Sequence, residues 1–326
     1  MFSKNEWDTL EEVIIGIAND AKIPSLDISL RTVNYADVKE TSTIPQGQYP
    51  KQVIDEANED LDILCEFLKN EGIKVSRPDS DYVPDYYNYC PRDSILLHEN
   101  LVMATPMPLR ARKNEYKAMK YVFDSNTNIH TSNISRPDAL YNLNCVNNPN
   151  ILALTDIEPA FDAANILRDN ENLYYLVSNS GNRAGADLLQ EVVGENYKVW
   201  KIENVYSYMH LDSTIALLRE GLMLLNPERI KSKKQLPKPL QSWDVIWASE
   251  PCDIGHYPGY CNASKWVNMN LLSINPNLVV LEENQHSLRK QLLQYKIESA
   301  MLPMRHERTL GGGFHCVSLD VKRKHL

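Results

Sequence analysis

The segment Gly311-Gly312-Gly313-Phe314-His315-Cys316 is followed by apolar residues at alternating positions, Val317, Leu319 and Val321. This alternation predicts a strand that begins after a permissive turn. Three consecutive glycines suit a place where a ligand must approach the backbone closely, because no side chain blocks the approach. We interpret Cys316 as a candidate nucleophile. The alternative is a glycine hinge beside a small buried thiol, the usual environment of a free cysteine.

The terminal strand decides the fold because it can pair with the first predicted strand, Glu12–Ala18. A polar, proline-bearing loop over residues 19–50 follows that first strand, and a loop of this length is often functional. Helical spacing of apolar residues then predicts a helix over Gln52–Asn70 and a strand over Ile73–Ser76. Pairing of the terminal strand with the first strand would complete this unit and close a ring, which removes free sheet edges.

The same order of hairpin, helix and strand is predicted four more times. The predicted hairpins cover Ser94–His98 with Leu101–Thr105, residues 165–177, Thr214–Leu218 with Leu222–Leu225, and Asn268–Ile274 with Leu278–Leu281. The predicted helices cover Asn114–Phe123, Ala184–Val193 and Ser287–Tyr295, and the returning strands cover Lys198–Ile202 and Ser299–Met304. Prolines interrupt Lys231–Pro239, so no helix is predicted there. The sequence therefore predicts one α/β domain of five units over residues 1–326.

Composition limits the classes of partner. The 326 residues include 43 acidic and 34 basic side chains, and this net charge of −9 argues against nucleic acid as a partner. No apolar stretch predicts a signal peptide or a membrane span, so we expect a cytoplasmic protein without a membrane partner. The six cysteines form no CxxC pair, which argues against a zinc site and against a disulfide framework. A homodimer is compatible with the sequence, which does not determine the oligomeric state.

Short polar sequences precede the hairpins at equivalent places. The candidate residues in them are Asp93, Asp162, His210 with Asp212, Ser264 and, at the final closure, Cys316. Equivalent positions of a closed ring point to a common centre, so we expect these side chains to converge. Each has an ordinary alternative as a turn residue, a helix N-cap or a buried core histidine.

The converging set is chemically coherent. The thiolate form of Cys316 is the nucleophile, and His210 can act as general acid and base with a carboxylate that fixes its tautomer. His315 is predicted to face away from Cys316, because neighbouring residues of a strand point to opposite faces. The carboxylates should raise the pKa of the thiol unless the substrate is a cation. Guanidinium fits, because it is permanently charged and pairs with carboxylates through two hydrogen bonds.

At these residues the chain resembles the amidinotransferases, the arginine:glycine amidinotransferase family of the pentein superfamily. The resemblance runs nearly end to end, through Glu6-Trp7-Asp8, Pro91-Arg92-Asp93, Glu158-Pro159, Phe161-Asp162-Ala163-Ala164, Met209-His210-Leu211-Asp212, Asn226-Pro227, Ser264-Lys265-Trp266 and Leu310 to Cys316. It implies a fivefold pseudosymmetric α/β propeller with a central active site, and it implies no cofactor and no metal.

The resemblance also implies roles for individual residues. Cys316 matches the nucleophile, His210 the acid/base and Asp162 its partner. The other matched positions are Asp93 and Asp212 for the guanidinium, and Arg229 with Ser264 for the substrate carboxylate. The implied reaction is ping-pong transfer of the amidino group of arginine to an acceptor amine, with release of ornithine.

Two departures from the family pattern leave the acceptor open. Ser207 occupies the place of an asparagine in glycine-using members, two residues before Met209, which is itself expected to contact substrate. Ala263 replaces an expected serine before Ser264. The acceptor could therefore be glycine, a longer ω-amino acid or another amine. The alternatives to transfer are a pentein hydrolase that makes citrulline from arginine and an inactive arginine-binding protein.

Overall fold

The computed structural model describes residues 2–132 and 134–324. Its strands are Thr9–Ile15 (β1), Lys22–Ile23 (β2), Gly47–Gln48 (β3), Lys74–Ser76 (β4), Ile95–His98 (β5), Leu101–Ala104 (β6), Asn128–Thr131 (β7), Ile166–Asp169 (β8), Asn172–Leu176 (β9), Lys198–Ile202 (β10), Ile215–Arg219 (β11), Leu222–Leu225 (β12), Asp244–Trp247 (β13), Leu272–Asn275 (β14), Leu278–Glu282 (β15), Glu298–Leu302 (β16) and Ser318–Lys324 (β17).

Helices connect and flank these strands. The α-helices are Ile28–Val33 (α1), Lys51–Asn70 (α2), Lys120–Asp124 (α3), Arg183–Val193 (α4), His286–Gln294 (α5) and Glu307–Leu310 (α6). The 3-10 helices are Thr41–Thr43, Pro91–Asp93, Arg110–Arg112, Glu115–Met119, Asp138–Leu140, Leu143–Cys145, Ala163–Asn165, Lys233–Gln235, Lys238–Ser242 and Lys265–Met269. Within the described residues we find no helix with the length and apolar composition needed to span a bilayer.

Five three-stranded sheets share one topology. Their strand orders are β17-β1-β4, β5-β6-β7, β8-β9-β10, β11-β12-β13 and β14-β15-β16. In each sheet the first two strands are antiparallel and the third is parallel to the middle strand. The first sheet takes its outer strand from the far end of the chain, with Val13 opposite Asp320. The predicted pairing of the terminal strand with the first strand is therefore confirmed.

Buried apolar clusters join the five sheets into a ring. Clusters between successive sheets contain Ile14 with Ile95, Leu96 with Ile166, Leu167 with Ile215, Leu218 with Val279, and Leu272 with Val13. Neighbouring residues of one strand enter different clusters because successive side chains of a strand point to opposite faces. Both faces of each hairpin are thus covered, which explains why these strands are almost uninterrupted apolar runs.

Some predicted boundaries are wrong for identifiable reasons. The first strand ends at Ile15, three residues before the predicted Ala18, because the chain passes directly under the backbone of Tyr89 at Gly16. The helix predicted over Asn114–Phe123 is a 3-10 helix followed by the short α3.

The predicted surface loop over residues 19–50 is a partly buried substructure. The short hairpin of β2 and β3 closes its base, with Lys22 opposite Gln48. Within it, α1 begins at an N-cap where the Asp27 carboxylate accepts a hydrogen bond from the Leu30 backbone nitrogen at 2.9 Å. The side chains of Leu30 and Tyr35 are buried. This substructure covers one side of the ring's centre.

Candidate active site

The five polar segments lie at equivalent places, immediately before the first strand of each sheet. Asp93 ends the 3-10 helix before β5, and Asp162 is the N-cap residue of the 3-10 helix before β8. His210 and Asp212 precede β11, Ser264 is the N-cap residue of the 3-10 helix before β14, and Cys316 precedes β17. Because each segment precedes the first strand of its sheet, these residues lie at the same end of the five hairpins, near the centre of the ring.

Cys316 lies in a turn, two residues before β17 begins at Ser318. Its backbone nitrogen donates to Oδ1 of Asn270 at 2.8 Å, and its Sγ lies 3.4 Å from Oδ2 of Asp212. Only 4% of the residue is exposed. The hydrogen bond with Asn270 thus holds the backbone of Cys316 in place, and the thiol contacts the carboxylate of Asp212.

Packing explains the second and third glycines. A Cβ added to Gly312 would lie 2.6 Å from Sγ of Cys90 and 2.9 Å from Cβ of Cys316. A Cβ on Gly313 would lie 3.0 Å from Cβ of Asn270. Gly311 differs, because it ends α6 in the left-handed conformation with a φ of 89° and lines the central cavity. Two of the three glycines therefore allow the ring to close around the cysteine.

His210 is held between carboxylates. Its Nε2 lies 2.9 Å from Oδ2 of Asp162, and its Nδ1 lies 3.8 Å from Oδ1 of Asp93. Burial opposes the charged form of the ring, but Asp93, Asp162 and Cys316 together hold the pKa of His210 well above its usual value. The histidine can therefore hold a proton beside the thiol.

Three buried carboxylate oxygens have no hydrogen-bond partner among the described residues. They are Oδ1 of Asp93, Oδ1 of Asp162 and Oδ1 of Asp212. The second oxygen of Asp93 accepts a hydrogen bond from Nη1 of Arg112 at 2.9 Å. A buried acceptor without a donor is costly, so these oxygens indicate a ligand that brings several N–H groups. Guanidinium has five such groups in one plane.

The carboxylates differ in their tendency to be charged. Burial raises the pKa of Asp93 despite the nearby His210 and Arg112. Burial also acts on Asp212, but the hydrogen bond and charge of His315, the charge of His210 and a hydrogen bond with Asn270 together outweigh it, and the pKa of Asp212 is lowered. Asp212 is thus the carboxylate next to the thiol that keeps a negative charge most readily.

The pKa of the Cys316 thiol is raised well above its usual value. A hydrogen bond with the thiol of Cys90 is the first cause, and burial and the charge of Asp212 add to it. The direction is the one expected from the surrounding carboxylates. Cys90 was not predicted to take part, although it directly precedes the Pro91-Arg92-Asp93 segment.

Arg229 lies at the cavity wall, where its guanidinium is 3.7 Å from the centre of the Tyr206 ring. Its Nη1 donates to the backbone oxygen and Oγ of Ser213 and to Oγ1 of Thr214, at 2.8 to 2.9 Å. Its Nη2 lies 3.5 Å from Oγ of Ser264. One side of the guanidinium is therefore anchored, and Nη2 lies next to Ser264 at the cavity wall.

A cavity of about 730 Å³ is lined by His210, Asp212, Arg229 and Cys316, whereas Asp93 and Asp162 are not among its lining residues. Residues between Asn34 and Pro45 also form part of its wall. Met209 and Ser264 also line it. Among the described lining residues Ser207 is absent, and its backbone oxygen instead accepts a hydrogen bond from Asn179.

Tyrosines hold the wall that comes from residues 19–50. The Tyr208 hydroxyl can donate to Oδ1 of Asp37 at 2.9 Å or to the backbone oxygen of Asn34 at 3.1 Å. The Tyr35 hydroxyl donates to Oδ1 of Asn262 at 3.1 Å. The sequence signal for this arrangement was the position of Tyr208, which directly precedes Met209 and His210.

His315, predicted to face away from Cys316, does not line the central cavity, but it contacts a carboxylate of the site. Nδ1 of His315 lies 2.9 Å from Oδ2 of Asp212, the oxygen that also contacts Cys316. The alternation of side chains applies within a strand, and residues 315 and 316 lie in the turn before β17. Both residues therefore contact one carboxylate.

The ligand atoms of Asp93, His210 and Cys316 lie within 4.8 Å of one another. A carboxylate, an imidazole and a thiol can together hold a transition metal ion. A thiolate bound to a metal would not be available for attack on carbon, so we interpret Cys316 as a nucleophile, His210 as its acid/base and Asp93 as a carboxylate for a cationic substrate.

No protein-family profile matches the chain. It is 40% identical to inosamine-phosphate amidinotransferase 1 of Streptomyces glaucescens over 336 residues, covering 98% of this chain and 95% of the relative. It is 30% identical to L-arginine:L-lysine amidinotransferase of Pseudomonas savastanoi pv. phaseolicola, covering 99% of this chain and 94% of the relative. It is also 30% identical to mitochondrial glycine amidinotransferase of Gallus gallus, covering 99% of this chain and 82% of the relative.

Solved structures give the same fold. Inosamine-phosphate amidinotransferase of Streptomyces griseus superposes with a TM-score of 0.93 at 39% identity, covering all of this chain and 97% of that structure. DDAH of Pseudomonas aeruginosa superposes with a TM-score of 0.62 at 14% identity, covering 95% of this chain and 99% of that structure. The predicted fivefold α/β propeller of the pentein type is confirmed.

Proposed function

Because this chain belongs to the amidinotransferase family, we propose that it moves the amidino group of L-arginine to an acceptor amine through a covalent intermediate on Cys316, with release of ornithine. The observation that carries the proposal is the set of three unpartnered carboxylate oxygens around the Cys316 thiol and His210. Such a set binds a planar cation and presents its central carbon to sulfur.

The first half-reaction uses the geometry directly. The guanidinium of arginine enters between Asp93 and Asp212, and its positive charge offsets the carboxylates that disfavour a thiolate. The same positive charge opposes the protonated imidazole, so His210 releases its proton to solvent as arginine binds and can then take the proton of Cys316. A bond forms between sulfur and the guanidinium carbon. The bond from that carbon to the ornithine nitrogen breaks as His210 returns the proton to that nitrogen. The product is a cationic amidino-cysteine and free ornithine.

The second half-reaction reverses these steps with a new amine. The acceptor nitrogen attacks the amidino carbon while His210 takes a proton from it. The carbon–sulfur bond breaks, and the same proton restores the thiol of Cys316. Asp162, 2.9 Å from His210, keeps the ring oriented through both halves.

The acceptor is proposed to be an amine larger than glycine. The relatives named above use inosamine phosphate, lysine and glycine, and the identity is higher to the inosamine-phosphate relative. The cavity of about 730 Å³ has room for a substituted ring beside the reacting carbon. Ala263, in the place of an expected serine, removes one hydroxyl from the wall near Arg229.

The test is incubation with L-arginine, with and without a panel of amines that includes aminocyclitol phosphates, lysine and glycine. Ornithine that accumulates only with an amine, together with the matching guanidino product, supports the proposal. Citrulline formed without an amine would instead establish a hydrolase. The Cys316→Ala variant is the control, and equal ornithine release by it and the parent would remove the nucleophile assignment.

A further inference from the structure

His315 lies between Asp212, the carboxylate beside Cys316, and the buried carboxylate of Glu6. We infer that His315 is a positioning residue that orients Asp212 toward the substrate guanidinium. Its Nδ1 lies 2.9 Å from Oδ2 of Asp212, and its Nε2 lies 3.3 Å from Oε2 of Glu6. This inference rests on the function proposed above.

Asp212 separates two spaces. Its face toward Cys316 belongs to the large central cavity, which His315 does not line. His315 lies behind Asp212, in a narrow space shared with Glu6 and Leu167. The imidazole therefore supports the carboxylate from the side opposite the substrate.

The support determines which oxygen is available. Oδ2 of Asp212 is occupied by His315 and by the Cys316 thiol, and Oδ1 is buried without a partner. The terminal torsion of an aspartate is broad, so a carboxylate held at neither oxygen can rotate away. Retaining Oδ2 keeps Oδ1 in place for an N–H group of guanidinium.

The far side of His315 is rigid. Arg168 donates to both oxygens of Glu6 at 2.8 Å, through Nε and Nη2. The same guanidinium donates to Asp320 in β17, and Arg92 pairs with Asp320 at 2.6 Å. All of these charged side chains are buried. Glu6 is therefore a fixed point against which the imidazole is held.

Both nitrogens of His315 face carboxylate oxygens. The ring can donate to Asp212 and to Glu6 together only when each nitrogen carries a proton. The two contacts can be separated by substitution, because an asparagine amide nitrogen reaches the place of Nδ1 and a glutamine amide nitrogen reaches the place of Nε2. His315→Asn keeps the Asp212 contact, and His315→Gln keeps the Glu6 contact.

The experiment measures formation of amidino-cysteine on Cys316 by mass spectrometry, after mixing with arginine and no acceptor. We expect His315→Gln to lower the second-order rate constant for amidino-cysteine formation by roughly 10- to 100-fold. This is the range seen when a residue that orients a metal ligand is lost in other proteins. We expect His315→Asn to stay within about threefold of the parent, because it retains the orienting contact. Thermal unfolding of both variants reports any general loss of stability.

Equal losses in the two variants, or no loss in either, would overturn the positioning role. A parent enzyme that forms no amidino-cysteine with arginine would instead contradict the proposed function, so the two failures are distinguishable. A loss in His315→Gln that tracks its unfolding and is matched by His315→Asn would assign the residue to packing alone.

Discussion

The thiol of Cys90 lies close to Cys316, and Gly312 has no side chain to separate them: a Cβ there would lie 2.6 Å from Sγ of Cys90 and 2.9 Å from Cβ of Cys316. This pairing is the first cause of the raised pKa of Cys316. In the substrate-free protein it keeps the nucleophile protonated, and the arriving guanidinium opposes that effect through its charge. Under the proposed function, the site is therefore activated by its own substrate.

Replacement of Cys90 should make the nucleophile more acidic. In Cys90→Ala the hydrogen bond that raises the pKa of Cys316 is absent, so a larger fraction of thiolate is present at a given pH. We expect the pH profile of Cys316 alkylation by iodoacetamide, followed on its own peptide, to move to lower pH. Cys145→Ala, at another buried free thiol, is the control and should leave the profile unchanged. A profile that moves to higher pH in Cys90→Ala would contradict the pairing.

Gly312→Ala should destabilise the protein through overpacking. The new Cβ would meet Sγ of Cys90 at 2.6 Å and Cβ of Cys316 at 2.9 Å, and the second atom is attached directly to the backbone. We expect a loss of about 1–3 kcal/mol in the free energy of unfolding, measured with urea. Adding Cys90→Ala should recover part of it. A double variant less stable than the sum of both single changes would show that the clash lies elsewhere.

The contribution of His210 to stability should fall as pH rises. Its pKa in the folded protein lies well above the ordinary 6.5, because Asp93, Asp162 and Cys316 outweigh burial. Such a group stabilises the folded state fully below its unfolded pKa and loses this contribution as pH rises through the folded value. The difference in unfolding free energy between parent and His210→Asn should be largest at about pH 5 and shrink toward about pH 9.

Urea titrations at several pH values measure that difference. His286→Asn, at an exposed histidine on α5, is the control for general effects of the substitution. A difference for His210→Asn that grows with pH would mean that burial dominates and that the folded-state pKa is lowered.

Loss of the Tyr208 hydroxyl should loosen the wall over the cavity. Tyr208→Phe removes the hydrogen bonding to Asp37 and to the Asn34 backbone, worth about 1 kcal/mol. We expect faster limited proteolysis within residues 34–45 and, without an acceptor amine, more urea released alongside ornithine, because water reaches the amidino-cysteine more easily. Tyr82→Phe removes a comparable hydrogen bond to the Asn114 backbone oxygen and is the control. Unchanged proteolysis in Tyr208→Phe would show that other contacts hold the wall.

The ring was predictable because its strands have a local signature. Short apolar pairs such as those at Ile166 and Leu222 read as hairpins in isolation, and their repetition at similar spacing implies equivalent units. The polar residues before each hairpin could then be assigned to one centre by symmetry. Asp93 and Asp162 were located by that argument, together with the family resemblance.

Contacts between units could not be predicted in this way. Cys90, for example, lies close to Cys316 because the first and second sheets pack side by side. The contact of His315 with Asp212 was not predicted, because strand alternation does not apply to the turn before β17. Residues 34–45 have no apolar periodicity that would place them against the cavity, so their role required the structure.

The pairing of β17 with β1 has a consequence for synthesis of the protein. One edge of β1 lacks its partner until Ser318–Lys324 has left the ribosome, so the apolar clusters beside the first sheet stay incomplete until then. Cys316 enters the centre with that same strand. Asp93, Asp162 and Asp212 are thus all synthesised before the thiol of Cys316. The strand that completes the first sheet and the candidate nucleophile Cys316 therefore take their places together.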